Sequence, residues 1–201
     1  EEQKRLGRYF GELHVHPAWP RLVEGHPEVM EIYTDENSRY IAGEHWHSDV
    51  SCDLEPPSAT TLQLHTVPNA GGDTLFASMY AAYEALSEPM KVLLQGLTAR
   101  HSGEESYRRL FQFENPANAT WPEADHPIVR EHPVTHKPAL YVNREFTHSI
   151  NGLPRFEAKA IFEFLLDHVE QVSFQCRFSW TPNAIAIWDN RSVQHLSLIH
   201  I

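Results

Sequence analysis

The sequence predicts a mainly β fold with flanking helices, of β-sandwich or jelly-roll type. Three observations carry that reading. Several short stretches alternate apolar and polar residues, the period of a strand with one buried face. Only two segments hold the spacing of an amphipathic helix. Loops rich in Pro, His and Asn separate these elements, the pattern of many short strands with helices packed outside.

In chain order, the opening Glu1-Glu2-Gln3-Lys4-Arg5 is charged and helix-prone. Thr60 to Val67 reads as a strand, with Leu62 and Leu64 on one side and Gln63 and His65 on the other. Ser78 to Gln95 reads as a helix. Ser78 can cap it, Glu84 and Glu88 lie on its exposed side, and Leu86, Met90, Leu93 and Leu94 keep helical spacing. Pro89 marks where it can divide into two short helices. Glu114 to His136 reads as a long loop, and Leu140 to Val142 as a short strand.

A second helix starts at Pro154, a residue suited to a first turn, and runs to about Gln171. Ile161, Phe164, Leu165 and His168 form its apolar stripe, and Phe156, Phe162 and Phe164 are assigned to its packing. Val172, Phe174, Cys176, Phe178 and Trp180 then alternate with polar residues, which predicts a strand with one buried face. After a turn at Thr181-Pro182-Asn183, Ala184 to Trp188 is a short apolar strand. Trp180 and Trp188 are assigned to the core.

A length of 201 residues suits one domain, 1–201, with one core. The net charge of −11 argues against nucleic acid or an anionic membrane as the main partner. No apolar run is long enough for a membrane-spanning helix, and no signal peptide is visible. Cys52 and Cys176 read as two reduced thiols of a cytoplasmic enzyme. The oligomeric state stays open, a homo-oligomer included. The chain has no initiator Met, so its start reads as a cut through a longer protein.

Chemistry concentrates in Glu44-His45-Trp46-His47-Ser48-Asp49. On an extended strand, residues i and i+2 point to one face, so His47 and Asp49 can reach one metal. Two His and one carboxylate on one face of an octahedron leave three positions open, the arrangement of non-haem Fe(II) oxygenases. From these residues alone His45 is eligible beside His47, the third ligand is unassigned, and an ordinary surface loop is the default reading.

Six further blocks narrow the choice. Trp46-His47-Ser48-Asp49-Val50 is followed in order by Gly71-Gly72-Asp73-Thr74-Leu75 and by Ala82-Tyr83-Glu84-Ala85-Leu86-Ser87. Then come His126-Pro127-Ile128-Val129-Arg130 with His132-Pro133-Val134, Leu140-Tyr141-Val142-Asn143, and Ile187-Trp188-Asp189-Asn190-Arg191 with His195. Collinear over nearly the whole chain from Phe10, these blocks resemble the TauD/TfdA family of Fe(II)- and 2-oxoglutarate-dependent dioxygenases. The resemblance implies a double-stranded β-helix (jelly-roll-like) core. It implies Fe(II) held by His47, Asp49 and His195, with Asp49 on an early core strand and His195 on a late one. It implies 2-oxoglutarate as co-substrate, with the Thr74 hydroxyl on one of its carboxylates, and Asn190 and Arg191 as support behind the ligands. The reaction implied is hydroxylation of a small anionic substrate by O₂, with release of succinate and CO₂.

In taurine dioxygenase an H-P-x-Y stretch contacts the sulfonate. His16 matches its His, and Trp19 replaces its Tyr. Gly43 stands where that enzyme has a substrate-binding Asn. His16 and Trp19 are therefore the expected substrate contacts, and Gly43 is expected to leave room. The substrate expected is bulkier and less polar than taurine: an alkylsulfonate, an alkyl sulfate ester or an aryloxy acid. The family continues past His195 to an Arg that pairs with the distal carboxylate of 2-oxoglutarate. Here Leu196-Ser197-Leu198-Ile199-His200-Ile201 follows instead. Residues 196–201 are expected to be non-native, and co-substrate binding to be weak. Two other readings use the same residues: a metal-dependent hydrolase with Zn²⁺ and water on the same ligands, or a non-catalytic relative that keeps the fold.

Overall fold

The computed structural model describes residues 1–16, 22–35, 37–38, 41–111 and 120–198. The first elements are α1 (Glu2–Gly7), β1 (Leu22–Val23), β2 (His26–Met30), β3 (Ala59–Gln63) and β4 (Thr74–Ser78). The middle of the chain forms α2 (Met79–Glu84), α3 (Glu88–Leu94), β5 (Thr98–Ser102), α4 (Glu104–Phe111), β6 (Glu123–Pro127), β7 (Val129–Glu131) and β8 (Pro138–Leu140). The last elements are β9 (Thr147–Ile150), α5 (Arg155–Val169), β10 (Gln175–Phe178), β11 (Ile185–Asp189) and β12 (Val193–Ser197).

The strands pair antiparallel in short ladders ordered β10-β4-β12, β11-β3, β6-β5-β9, β7-β8 and β1-β2. Gly71 and Gly72 open β4 with positive φ values of 75° and 77°. That conformation is open to Gly at no steric cost. A Cβ on Gly72 would also stand 2.8 Å from the Pro68 ring. Leu196 and Ser197 continue β12 in register with Leu75 and Thr74, and the Leu198 amide donates to the Asp73 carbonyl. Residues 199–201 lie outside the described residues.

The main core gathers Met79, Ala82, Leu86 and Leu94 from the first helices, Ala158, Leu165 and Val169 from α5, and Ile128, Leu140, Val142 and Ile150 from the strands beneath. A second cluster of Val50, Cys52, Tyr107 and Phe146 sits against the chain that follows the metal motif. Cys52 and Cys176 are both free. Among the described residues, no helix is long and apolar enough to cross a membrane.

Several expectations need correction. The helix expected from Ser78 to Gln95 is two helices. Ser78 caps α2 through the Ala81 amide, and Ser87 caps α3 through the Met90 amide with Pro89 in its first turn. The break shifts the helical phase, so Leu94 is buried while Leu93 is exposed. The loop expected from Glu114 to His136 contains β6 and β7, whose partners β5 and β8 are distant in sequence or across a turn. The strand expected from Val172 begins as a 3-10 turn over Val172–Phe174, and both Val172 and Cys176 are exposed. On α5, Phe156 is 87% exposed and Phe164 also faces out. Leu165, Leu166 and Val169 carry that helix's packing instead. α4 was not expected. Ser102 accepts from the Glu104 amide, and Glu104-Glu105 and Arg108-Arg109 suit the two ends of its dipole.

Candidate metal centre

His47 and His195 meet because their backbones form an antiparallel bridge. The His47 amide donates to the His195 carbonyl at 3.1 Å, and the His195 amide donates to the His47 carbonyl at 2.8 Å. Residues that exchange both bonds stand directly opposite, with side chains on one face. The two rings are accordingly 4.0 Å apart, centre to centre. His47 is thus a single bridged residue, not part of a regular strand, and Asp49 lies in the turn that follows. This corrects the expectation that both sit on one extended strand. The turn, not strand alternation, brings the carboxylate back. Asp49 Oδ1 lies 3.5 Å from His47 Nε2 and 3.8 Å from His195 Nε2.

These three are the group among the described residues whose ligand atoms converge, all within 4.8 Å of one another. His45 is not among them. Its ring turns toward Glu44 and Glu145, at 3.9 and 3.7 Å. Arg109, from α4, donates to both of those carboxylates. His45 contributes through its backbone instead: its carbonyl accepts from His47 Nδ1 at 2.7 Å. A carbonyl only accepts, so Nδ1 carries the proton and the neutral ring offers Nε2 toward Asp49. That is the usual way a partner sets the tautomer of a ligand His.

Burial alone would lower the His47 pKa, but the hydrogen bond and charge of Asp49 raise it overall. Burial would likewise raise Asp49, yet the facing His195 and His47 hold its carboxyl well below the usual range. His195 is pushed down to about 3 by burial and then by His47. Metal ligands must be deprotonated, so protons on His47 and Asp49 compete with a cation for these atoms. Two imidazoles and a carboxylate around one point fit Fe(II) by donor type and number.

Behind the carboxylate, Thr60 Oγ1 donates to Asp49 Oδ2 at 2.6 Å. Asn190 Nδ2 donates to Thr60 Oγ1 at 2.8 Å and to the Pro57 carbonyl at 3.2 Å. Asn190 Oδ1 accepts from Trp188 Nε1 at 3.0 Å and from the Asp49 amide at 3.4 Å. Thr60 was missed in sequence. The available signal was its parity: it shares the inward side with Leu62, opposite Trp188 on β11. Arg191, expected as support, is held by Asp189, which also accepts from His132 Nε2.

The other expected residues divide. Thr74 is buried and opposite Ser197, on the same face of β4 and β12 as Phe76 and His195. Its hydroxyl accepts from Trp180 Nε1 at 2.9 Å. Trp180 and Trp188 are core residues, as expected, and each also holds a side chain of the site. His16 lies beside the Tyr107 ring, 5.4 Å between centres. Its pKa falls to about 4 through burial and then His14, against the opposing charges of Asp49 and Asp53. Trp19 lies outside the described residues. Gly43 does not open a pocket as expected. At φ +86°, a Cβ there would stand 3.4 Å from His47 Cε1 and 3.5 Å from Ser197 Cβ, and its carbonyl accepts from the Ser197 amide. Gly43 lets the chain pass closely between the ligand ring and β12.

Comparison with known proteins gives a consistent result. The family model described as "Taurine catabolism dioxygenase TauD, TfdA family" matches residues 1–197. A Schizosaccharomyces pombe protein assigned to alpha-ketoglutarate-dependent sulfonate dioxygenase activity is 43% identical, over 97% of this chain and 52% of its own length. The alpha-ketoglutarate-dependent sulfonate dioxygenase of Saccharomyces cerevisiae is 37% identical, over 96% of this chain and 49% of its own length. The crystal structure of a taurine dioxygenase from Burkholderia xenovorans superposes with a TM-score of 0.71 at 34% identity, covering 89% of this chain and 60% of that one. The chain spans about half the length of the curated relatives it matches.

Proposed function

The chain belongs to the taurine catabolism dioxygenase TauD, TfdA family, and on that premise we propose that the protein is an Fe(II)- and 2-oxoglutarate-dependent dioxygenase acting on a small organic anion. Its fold is mainly β with flanking helices and the jelly-roll core of that family. The single observation that carries the reading is the convergence of His47 Nε2, Asp49 Oδ1 and His195 Nε2 on one point. These three residues hold the iron, and residues 1–197 act as one catalytic domain. With iron and 2-oxoglutarate bound, the centre supplies O₂-dependent hydroxylation coupled to decarboxylation of the co-substrate to succinate and CO₂.

The residues have distinct tasks in this reading. His47 is kept in the Nε2-ligand tautomer by the His45 carbonyl. Thr74 places a hydroxyl on the His195 face, where it meets a carboxylate of 2-oxoglutarate. Its other bond, from Trp180, fixes the orientation of that hydroxyl. Phe76 and Trp188 flank His195 and keep water from that side, with ring centres 6.1 and 4.6 Å away. His16 stays neutral beside Asp49 and Asp53, so it meets an anionic substrate as a hydrogen-bond donor, and Trp19 is the second substrate contact proposed. The class of substrate is an alkylsulfonate, with sulfate esters and aryloxy acids as the competing anions.

The test is succinate release with Fe(II), 2-oxoglutarate and O₂, screened across four- to eight-carbon sulfonates, sulfate esters, aryloxy acids and taurine. Turnover that needs both Fe(II) and O₂, and that is highest on a sulfonate longer than taurine, is the expected result. Zn²⁺-supported hydrolysis without O₂ would replace this reading with the hydrolase, which the comparisons do not support. Taurine as the best substrate would remove the role given to Trp19.

A further inference from the structure

Thr60 has a task that the metal assignment by itself does not specify. We propose that Thr60 is a positioning residue that restricts Asp49 to coordination through one oxygen, Oδ1. The inference rests on the metal reading above and deepens it.

A chain of hydrogen bonds reaches Asp49, and each direction in it is forced. The Trp188 indole N–H can only donate, and the Pro57 carbonyl can only accept. Asn190 lies between them, so its Oδ1 must face Trp188 and its Nδ2 must face Pro57. The amide cannot flip without leaving both groups unpaired. With Nδ2 so placed, its second proton goes to Thr60 Oγ1. The Thr60 hydroxyl then accepts from Asn190 and has a single proton to give. That proton goes to Asp49 Oδ2, at 2.6 Å. Asp49 Oδ2 is thereby engaged by Thr60, while Oδ1 lies 3.5 Å from His47 Nε2 and 3.8 Å from His195 Nε2.

The coordination count explains why this matters. Two histidines and one carboxylate oxygen leave three of six octahedral positions open. A chelating 2-oxoglutarate would occupy two of them and leave one free. A carboxylate binding through both oxygens would fill that last position. Thr60 and Asn190 therefore protect an open site as well as orienting a ligand.

The experiment titrates the metal-free 201-residue chain with Co²⁺, following the visible absorption of the bound ion. It compares the native chain with Thr60→Val, Thr60→Ser, Trp188→Phe and Asp49→Ala. Thr60→Val keeps the volume and removes the hydroxyl. It should weaken Co²⁺ binding by roughly 10–100-fold, the usual effect of losing a group that supports a ligand, and change the shape of the band. Thr60→Ser restores the hydroxyl and should restore both. Melting of each metal-free variant reports whether it folds. If Thr60→Val does not, Trp188→Phe carries the test. It replaces the indole by a smaller aromatic ring with no N–H, releases Asn190 Oδ1 from its fixed donor, and should alter the band in the same direction with a smaller loss of affinity. A native band and native affinity in the folded variants, or a serine no better than valine, would overturn the proposal. Equal Co²⁺ uptake by the native chain and by Asp49→Ala would instead show that the metal assignment itself had failed.

Discussion

The two sides of the metal centre are built differently. His195 stands on β12, where the backbone ladder to β4 runs from Val193 to Ser197. Its ring Nδ1 is buried with no hydrogen-bond partner among the described residues. His47 is a single bridged residue, and Asp49 stands in the turn after it. They are held by side chains and single carbonyls: Thr60, Asn190, the His45 carbonyl, and Ser48 Oγ on the Val193 carbonyl. A strand positions a ligand through backbone bonds that any side chain permits. A turn positions one through specific side chains, so its tolerance of substitution is lower. The bridge between His47 and His195 is where the two constructions meet.

The largest expected effect comes from Asp49→Ala, which removes the one anionic donor shared by both sides. Fe(II) or Co²⁺ uptake should fall below detection in a titration, while the metal-free melt falls but still shows a cooperative transition. Retained uptake would end the idea that the turn completes the site.

Asn190→Ala comes next. It leaves the Trp188 indole N–H and the Pro57 carbonyl without their partner, and each buried unpaired group costs roughly 1–3 kcal/mol. A loss of about 2–5 kcal/mol should appear in urea unfolding. Its counterpart on β12 is Ser197→Ala, which keeps the Cβ and the backbone bonds and should stay within about 0.5 kcal/mol of native. Equal losses at the two positions would erase the contrast between turn and strand.

Acid should weaken the turn side. His101 is fully buried beneath it, 3.0 Å from Ser51 Oγ, which also accepts from Asn143 Nδ2. Burial, then the charge of His126, lowers its pKa from 6.5 to about 3. The unfolded chain therefore binds this proton first as pH falls. Stability is full above about 6.5 and declines toward about 3, approaching a slope of roughly 1.4 kcal/mol per pH unit for such a group. His16 and His195 act in the same direction in the metal-free chain. Urea midpoints measured from pH 7 to pH 5, above the carboxylate range, should fall. His47, whose pKa is raised, opposes these histidines, and a flat profile would mean that the lowered ones contribute no net acid sensitivity.

The smallest effect is expected from His45→Ala. The bond to His47 Nδ1 comes from the backbone of residue 45, so metal affinity should change little. Loss of the metal in His45→Ala with retention in His47→Ala would reverse the ligand assignment.

Much of this was legible in the sequence because it depends on near neighbours. The Gly71-Gly72 turn before Thr74, the cap at Ser78, the division at Pro89 and the helix after Pro154 all follow from local geometry. The resemblance of ordered blocks added His195. Tertiary structure alone decided the rest. It set the bridge that opposes His47 to His195 and the fold-back of Asp49 in a turn. It also joined Asn190 to Thr60, 130 residues apart, behind one carboxylate. It closed the space at Gly43 that the sequence suggested was open. The physical reason is common to these cases. Periodicity and capping act within a few residues, whereas which side chains share a buried hydrogen bond depends on the register of strands distant in the chain. A Thr on a half-buried strand looks the same in sequence whether it faces a core Leu or the carboxylate of a metal site.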